Sequence, residues 1–408
     1  MNHIASLGDR ATDYLNTLCR EIPERPVGSA GNRAATTFFR ETISALGFET
    51  ECQEFDCIAW SHGDVRLRAG RQSFEAFVSP YSLGTQVRAP LVVAATVQEL
   101  AQVQARGAIL LARGDLTHEP LMPKQFPFYN PEEHQHIVRL LEAKAPAAIV
   151  AATSRHAGLA GGMYPFPWIE DGDFDIPSVY TKDTQGERFL RYAGQEVTLE
   201  VEAARTPSTG CNVVARRGGA SGGRVVVCAH IDSKEGTPGA LDDGTGVAAL
   251  LLLAELLESW DGGLGVEIVA LNGEDTYHAV GQVLYLERNA GRLDKILLAV
   301  NLDAAGYHDG RTAYSLYECP DRLGATIRGA FGAYGGMFEG PQWPQGDHMI
   351  FAMNGRPAVA ITSEQFPYLA SNVTHTDRDV PEIVDVGKLV VAACALSELL
   401  HTLDTQPQ

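Results

Sequence analysis

Four apolar segments, separated by stretches of helical character, constrain the fold of this chain more than any other feature. They cover residues 224–229, 266–271, 296–302 and 357–362. Runs of valine, isoleucine and leucine without polar alternation are typical of strands that are buried on both faces. The helical stretches at 244–260, 278–289 and 383–403 would cover those faces and provide the crossovers that parallel strands require. The pattern predicts an α/β fold with a mainly parallel, mixed sheet flanked by helices.

The sequence before these segments has two parts with different residue patterns. Residues 5–20 and 32–46 have apolar positions at helical spacing, and residues 48–55 alternate as a strand does. From about residue 59 to 206, short β-like runs alternate with short helices, and the loops are rich in proline, glycine and aromatic residues. We therefore predict a discontinuous main domain, residues 1–60 and 207–408, with a small α/β domain, residues 61–206, inserted into it.

The charge balance excludes one class of partner. The formal net charge is -19, from 32 Lys+Arg against 51 Asp+Glu. Such a surface repels a phosphate backbone, and no basic stripe reverses this, so no nucleic acid is expected to bind.

The longest apolar run, residues 247–257, contains Glu255 and is too short to span a bilayer, so no membrane partner is expected. The oligomeric state stays open, a homo-oligomer included.

The cysteines and the N-terminus bear on the cellular compartment. The chain has seven cysteines, and they form no CxxC pair and no regular spacing. This odd, scattered set favours reduced thiols over a disulfide framework. The first residues lack the basic and apolar regions of a secretory signal. Together these features predict a cytoplasmic protein.

Acidic and histidine residues follow the ends of the predicted strands. His230 and Asp232 follow the first strand, Glu274 and Asp275 the second, and Asp303 the third. Two further groups are the Asp242–Asp243 pair before a helix and His375 in the loop before the last helix. Functional residues of open α/β sheets gather beyond the C-terminal ends of the strands. Carboxylates that converge there repel one another unless a cation is present, and histidine with carboxylate is a normal ligand set for zinc.

Each of these groups alone has an ordinary structural explanation. A His-x-Asp sequence is most often a polar pair, an Asp-Asp before a helix is most often an N-cap, and a Glu-Asp after a strand is usually a solvated loop. Their joint placement at one sheet edge is what favours a metal site. Alternation along an extended segment also points residues 230 and 232 the same way, so Asp232 can help to orient the His230 ring.

The order of these groups resembles a known family. H-x-D at 230–232, P-G-A-x-D-D-x-T-G at 238–246, G-E-D at 273–275, N-x-D at 301–303 and H-T-x-x-D at 375–379 look like the co-catalytic zinc aminopeptidases. That family also contains glutamate carboxypeptidase, glutaminyl cyclase and the transferrin receptor. The segment at 25–31, RPVGSAG, is similar to the opening R-x-x-G-S segment of the family, and the inserted region resembles its protease-associated domain.

The resemblance implies a role for each residue. His230 and Asp303 would hold one zinc ion, Asp275 and His375 the other, and Asp242 would bridge the two. Glu274 matches the general base, and Asp232 matches the residue that orients His230. Cobalt or manganese could replace zinc. Asp275 departs from the family, in which glutamate is commoner at this position.

A second departure lies near the predicted site. Gly346-Asp347-His348 resembles the S-D-H segment of the family, with structural and indirect roles equally open for it. Trp343 stands where some relatives have a tyrosine that stabilises the oxyanion, and an indole can only donate through its nitrogen.

These implications predict a metallo-exopeptidase that acts on a peptide substrate, most of all an aminopeptidase that uses a water molecule activated by two zinc ions. A carboxypeptidase and a glutaminyl-cyclase-like acyltransferase that uses one zinc ion are the enzyme alternatives. The remaining alternative is a scaffold without catalysis, but such proteins usually lose ligands and this sequence keeps all of them. Metal stoichiometry and a panel of free and N-blocked peptides would separate these functions.

Overall fold

The computed structural model describes residues 2–22, 24–155, 164–219 and 223–405. The chain divides into two compact units. Unit 1 consists of Met1–Cys57 and Thr209–Gln408, and unit 2 is Ile58–Ser208. Two long strands, Glu49–Ala69 and Glu196–Gly218, contain the two points at which the chain passes between the units.

The helices and strands alternate along most of the chain. In the described ranges the α-helices are α1 (Asn2–Asn16), α2 (Ala30–Ala45), α3 (Val97–Gln102), α4 (Glu132–Lys144), α5 (Asp183–Phe189), α6 (Thr245–Leu256), α7 (Val280–Arg288), α8 (Asp321–Gly332), α9 (His348–Ala352), α10 (Phe366–Asn372) and α11 (Val386–Thr405). The strands are β1 (Glu49–Ala69), β2 (Gln72–Phe74), β3 (Phe77–Val78), β4 (Thr85–Ala94), β5 (Ile109–Ala112), β6 (Ala148–Thr153), β7 (Ser178–Lys182), β8 (Glu196–Gly218), β9 (Arg224–His230), β10 (Gly265–Leu271), β11 (Ile296–Leu302), β12 (Thr312–Tyr317), β13 (Met337–Glu339) and β14 (Ala358–Ser363).

The sheet of unit 1 is mixed and parallel at its centre. Strand β9 lies between β10 and β11 and is parallel to both, and β14 is parallel to β11. The outer pairs are antiparallel, with β8 against β10 and β12 against β14, and β13 extends the sheet beyond β12. The predicted mainly parallel, mixed sheet flanked by helices is therefore confirmed. Because β9, β10 and β11 run the same way, their C-terminal ends lie at one edge.

The core of unit 1 explains why its strands have no polar alternation. Nearly all residues of β9, β10 and β11 are buried, and α6 is buried from Thr245 to Ala254. Helix α11 is long and apolar enough to cross a membrane by length and composition alone. Its side chains Leu389, Leu396 and Leu400 are buried in the apolar cluster that also contains α6. This helix is therefore a core helix of unit 1.

Unit 2 has its own parallel strands and its own apolar cores. Strands β4, β5, β6 and β7 are parallel neighbours, with the first half of β8 antiparallel to β4 and β3 antiparallel to β7. Helices α3, α4 and α5 belong to this unit, and α4 packs Ile137, Val138 and Leu141 into one of the two cores. Unit 2 is thus a small α/β unit. Its resemblance to a protease-associated domain stays a prediction.

A disulfide corrects the expectation that the thiols are all reduced. Cys52 and Cys211 are bonded, with their Cα atoms 5.8 Å apart and 159 residues between them in sequence. The pairing of β1 with β8 brings them together, and no sequence spacing reveals such a contact. Cys19 and Cys228 are buried free thiols, and Cys394 is partly buried.

We predict that replacing both bonded cysteines by serine lowers the free energy of unfolding by about 2–4 kcal/mol, because the bond closes a long loop in the unfolded chain. Urea unfolding monitored by fluorescence measures this difference. Dithiothreitol should destabilise the wild-type protein and leave the Cys52→Ser, Cys211→Ser double variant unchanged. An equal response of both proteins to dithiothreitol would contradict the prediction.

Candidate metal centre

The C-terminal ends of the three central parallel strands carry the first residues of the site. His230 is the last residue of β9 and lies opposite Leu271, the last residue of β10. Asp303 directly follows β11, and its N–H donates to the carbonyl of Ile361 on β14. The segment after β10 carries Glu274 and Asp275. The parallel register therefore collects residues from three separate parts of the sequence at one edge of the sheet.

Asp242 lies between two histidines that are far apart in the sequence. Its Oδ1 is 2.9 Å from Nε2 of His230, and its Oδ2 is 3.0 Å from Nε2 of His375. Nε2 of His375 is also 2.9 Å from Oδ1 of Asp275. One carboxylate thus faces two imidazoles with a different oxygen each, which is the arrangement required of a carboxylate that bridges two metal ions.

Two further carboxylates complete the cluster. The potential ligand atoms of His230, Asp243 and Asp303 lie within 4.8 Å of one another, and those of His230, Asp242 and Asp275 form a second such group. The structure therefore brings together all five predicted ligands, His230, Asp242, Asp275, Asp303 and His375, and adds Asp243, which is not among the predicted ligands.

The close packing of acidic and histidine side chains shifts the pKa values of the cluster. Burial lowers the pKa of both histidines, but their contacts with nearby aspartates outweigh it and raise the pKa well above the usual value. Burial, together with the charge of Asp242, raises the pKa of Asp303 to about 7. Burial also raises the pKa of Asp243 well above its ordinary value. Divalent cations would displace protons from these groups, because ligands must be deprotonated to bind a metal.

The donor atoms fit a metal site. Oδ2 of Asp243 and Oδ2 of Asp275 are buried and have no hydrogen-bond partner in the described part of the chain. Buried polar atoms normally have partners, so the absence of partners at these two neighbouring carboxylate oxygens requires an explanation. Imidazole and carboxylate together are a normal zinc set. Bound cations would satisfy these atoms.

Asp232 holds both His230 and the loop that follows β10. Nδ1 of His230 donates to the backbone carbonyl of Asp232 at 3.1 Å, which leaves the Nε2 lone pair for a metal. The Asp232 carboxylate accepts the N–H groups of Gly273 at 2.7 Å and Asp275 at 3.1 Å. Asp232 therefore fixes the backbone on both sides of Glu274. The predicted orienting contact with His230 runs through the Asp232 carbonyl, since its nearer carboxylate oxygen is 3.7 Å away.

Glu274 belongs to neither of the ligand groups that contain His230. Its side chain is partly exposed, whereas the neighbouring Asp275 is buried. Burial and the charges of Asp275 and Asp303 raise the pKa of Glu274 well above its usual value, against the lowering effect of His230. A carboxylate with a raised pKa beside a metal cluster can hold and release a proton.

Two buried residues that the sequence analysis gave no role in the site hold the turn that precedes Asp242. The Arg25 side chain donates to the carbonyls of Pro238 and Gly239, and Asp379 accepts the N–H of Asp242. Both belong to recognised sequence segments, R-x-x-G-S and H-T-x-x-D. The sequence motifs therefore included Arg25 and Asp379. Their hydrogen bonds to the turn could not be predicted, because they join residues that are far apart in the sequence.

The segment at 343–348 lies close to the cluster. A Cβ atom at Gly346 would lie 3.0 Å from the Trp343 ring and 3.3 Å from Oδ2 of Asp303. Asp347 accepts a hydrogen bond from Gln282 at 2.8 Å, and burial raises its pKa to about 6. Burial lowers the pKa of His348 to about 4. Among the described residues none of these side chains belongs to a group that could hold a metal ion.

Residues 212–400 match peptidase family M28, and this range contains every residue of the cluster from His230 to His375. This part of the chain is similar to a peptidase family M28 domain. The remaining residues, including all of unit 2, lie outside the match. The motifs of the sequence analysis fall inside it, except for the segment at 25–31.

Curated relatives cover more of the chain than the M28 domain does. A probable leucine aminopeptidase 2 of Aspergillus oryzae is 25% identical over 370 residues, which is 85% of this chain and 71% of the relative. A probable lipoprotein aminopeptidase, LpqL, of Mycobacterium tuberculosis is 25% identical over 341 residues, which is 81% of this chain and 62% of the relative. The chain therefore spans less than two thirds of the second relative.

Solved structures extend the likeness to nearly the whole chain. An aminopeptidase from Aneurinibacillus sp. strain AM-1 has a TM-score of 0.76 at 20% identity, covering 97% of this chain and 93% of the other. BSAP, a zinc aminopeptidase from Bacillus subtilis, has a TM-score of 0.74 at 20% identity, covering 97% and 94%. At such identities the likeness shows the fold, which is that of M28 aminopeptidases.

Proposed function

We propose that this protein is a zinc-dependent aminopeptidase that removes N-terminal residues from peptides with two metal ions. The observation that carries the proposal is Asp242, whose two oxygens face His230 at 2.9 Å and His375 at 3.0 Å. A single metal site has no need for a carboxylate shared in this way. The relatives named as aminopeptidases support the exopeptidase class, and the zinc aminopeptidase from Bacillus subtilis supports the choice of metal.

The residues divide into two sets around Asp242. His230 and Asp303, with Asp243 beside them, would hold one ion, and Asp275 and His375 would hold the other. When bound, two divalent cations polarise the scissile carbonyl, lower the pKa of the attacking water and offset the negative charge of the transition state. Each set then has one histidine and one aspartate besides the shared Asp242, and Glu274 belongs to neither set.

Glu274 would move the proton of the reaction. Its carboxylate accepts a proton from the attacking water as the new C–O bond forms, and returns it to the peptide nitrogen as the C–N bond breaks. A raised pKa suits this double role, because the group must both accept and release a proton near neutral pH. Asp232 keeps Glu274 in place through the N–H groups of the two residues that flank it.

A substrate panel with and without chelator tests the proposal. We expect cleavage of peptides with a free N-terminus, no cleavage of N-blocked peptides, and loss of activity after dialysis against a chelator. Added zinc should restore the activity. Cleavage of N-blocked dipeptides from their C-terminus would make the protein a carboxypeptidase, and cyclisation of N-terminal glutamine would make it a cyclase. Absence of zinc binding would favour a scaffold.

For partners and location we propose a peptide substrate and no nucleic acid. The Cys52–Cys211 disulfide argues against the predicted cytoplasmic location, because such bonds are typical of oxidising compartments. Alkylation of thiols in intact source cells, followed by mass spectrometry, decides between them. Alkylated Cys52 would support the cytoplasm, and an intact disulfide would support an oxidising compartment.

A further inference from the structure

The carboxylate of Asp379 connects the two loops that face each other across the cluster. Asp379 is fully buried, and it lies four residues after His375. Its Oδ1 accepts the N–H of Leu241 at 2.7 Å, and its Oδ2 accepts the N–H of Asp242 at 3.0 Å. Its backbone carbonyl accepts the N–H of Ala240 at 3.2 Å. Three consecutive N–H groups of the turn at 240–242 therefore end on one residue of the His375 loop.

Arg25 binds the carbonyl groups of the two residues that precede this turn. Its guanidinium is buried and donates to Pro238 and Gly239, each at 2.8 Å. Gly239 has a φ of +58°, and a Cβ atom there would lie 2.8 Å from the guanidinium, so the close approach requires glycine. Burying both a cation and a carboxylate is costly unless their hydrogen bonds are satisfied. Here those bonds converge on one short turn.

This turn determines the position of the Asp242 carboxylate. Asp242 has φ -118° and ψ 86°, which is not helical, so the start of α6 does not determine its backbone. Its two oxygens must nevertheless reach histidines on two different loops. Such contacts require the carboxylate to be placed within about 0.5 Å. Because Asp379 and His375 are on the same loop, any shift of that loop moves the turn and the histidine together.

We propose that Asp379 is a positioning residue that fixes Asp242 relative to His375 and so sets the distance between the two metal positions. This inference rests on the proposed two-metal function. It assigns to Asp379 an effect on the second metal ion beyond its effect on folding. Arg25 holds the turn on the opposite side and contributes to the same placement.

Asp379→Asn tests the proposal, because the amide keeps the size of the side chain but presents a donor where one backbone N–H needs an acceptor. Asp404→Asn in α11 is the control. Asp404 is partly buried, its carboxylate accepts the N–H of Leu264 at 2.6 Å, and it belongs to none of the groups of described residues that could hold a metal ion. Both variants should lower the melting temperature.

The discriminating measurement is zinc binding in competition with a chromogenic chelator. We expect Asp379→Asn to weaken the binding of one of two zinc ions by about 10–100-fold, as removal of outer contacts of metal ligands does. It should also lower kcat with little change in KM, and Asp404→Asn should leave zinc affinity, kcat and KM unchanged. Asp379→Glu keeps both acceptor oxygens on a side chain one methylene longer. It should show the same selective loss if Asp379→Asn does not fold.

Two results would count against the inference in distinguishable ways. Wild-type affinity for both zinc ions in the Asp379 variants would overturn the positioning role and leave the proposed function intact. A wild-type protein that binds fewer than two zinc ions would overturn the two-metal function, and the positioning role with it.

Discussion

Replacing Glu274 with glutamine is expected to lower kcat by about 10²–10⁴-fold, the usual contribution of a general base, while the protein still folds and binds its metal ions. Glutamine has the same shape but cannot accept a proton. Because Glu274 lies outside the ligand groups that contain His230, its replacement removes no ligand. Steady-state kinetics and metal analysis on the same preparation measure the two expectations together.

The control for this variant is Glu287→Gln. Glu287 is exposed on α7 of the same unit, so the same loss of charge there should leave kcat unchanged. If Glu274→Gln turns over at nearly the wild-type rate, the proton must be carried by another group. If it loses its metal ions, Glu274 is a ligand and the assignment of its role is wrong.

Replacing Asp242 with asparagine is expected to have an effect of comparable or larger size. Asparagine keeps one oxygen and presents an amide to the other histidine, so one of the two contacts at 2.9 and 3.0 Å is lost. We expect the bound zinc to fall from two ions to one or none. Losing several kcal/mol of charge stabilisation from a metal ion corresponds to a loss of about 10³-fold or more in kcat/KM.

Asp377→Asn controls for this variant. Asp377 is exposed in the same loop as His375 and should tolerate the change with full metal content and activity. Elemental analysis after gel filtration gives the stoichiometry of each protein. An Asp242→Asn variant that retains two zinc ions and its activity would show that Asp242 does not bridge them.

The central strands of unit 1 could be predicted because they are buried on both faces. The predicted strand at 296–302 coincides with β11, and those at 224–229, 266–271 and 357–362 differ from β9, β10 and β14 by a residue or two. Burial on both faces imposes continuous apolar runs that mark the strand in the sequence itself. The strand direction followed from the helices between them.

The outer elements of the sheet could not be predicted in the same way. Strands β12 and β13 and the short helices α9 and α10 were not recognised. Strand β12 has the sequence TAYSLY, whose polar residues do not form an apolar run, although most of it is buried against β14. Helix α9 has only five residues, too few to show helical spacing. Their structure depends on tertiary contacts.

The candidate site shows the same division. His230, Asp275 and Asp303 could be placed at one edge from strand ends, and Asp242 and His375 from the loops beside them. The role of each of these residues was assigned through the family resemblance. The contribution of Asp379 depends on hydrogen bonds to Leu241 and Asp242, 138 and 137 residues earlier in the chain. Pairs so distant in sequence leave no local pattern. The Cys52–Cys211 contact was missed for the same reason.

Anomalous diffraction from zinc-loaded crystals tests the central claim most directly. The account predicts two peaks on opposite sides of the Asp242 carboxylate, one in contact with His230 and Asp303 and the other with Asp275 and His375. Each peak should appear at the zinc absorption edge and vanish below it. One peak, no peak, or peaks that do not share Asp242 would contradict the account.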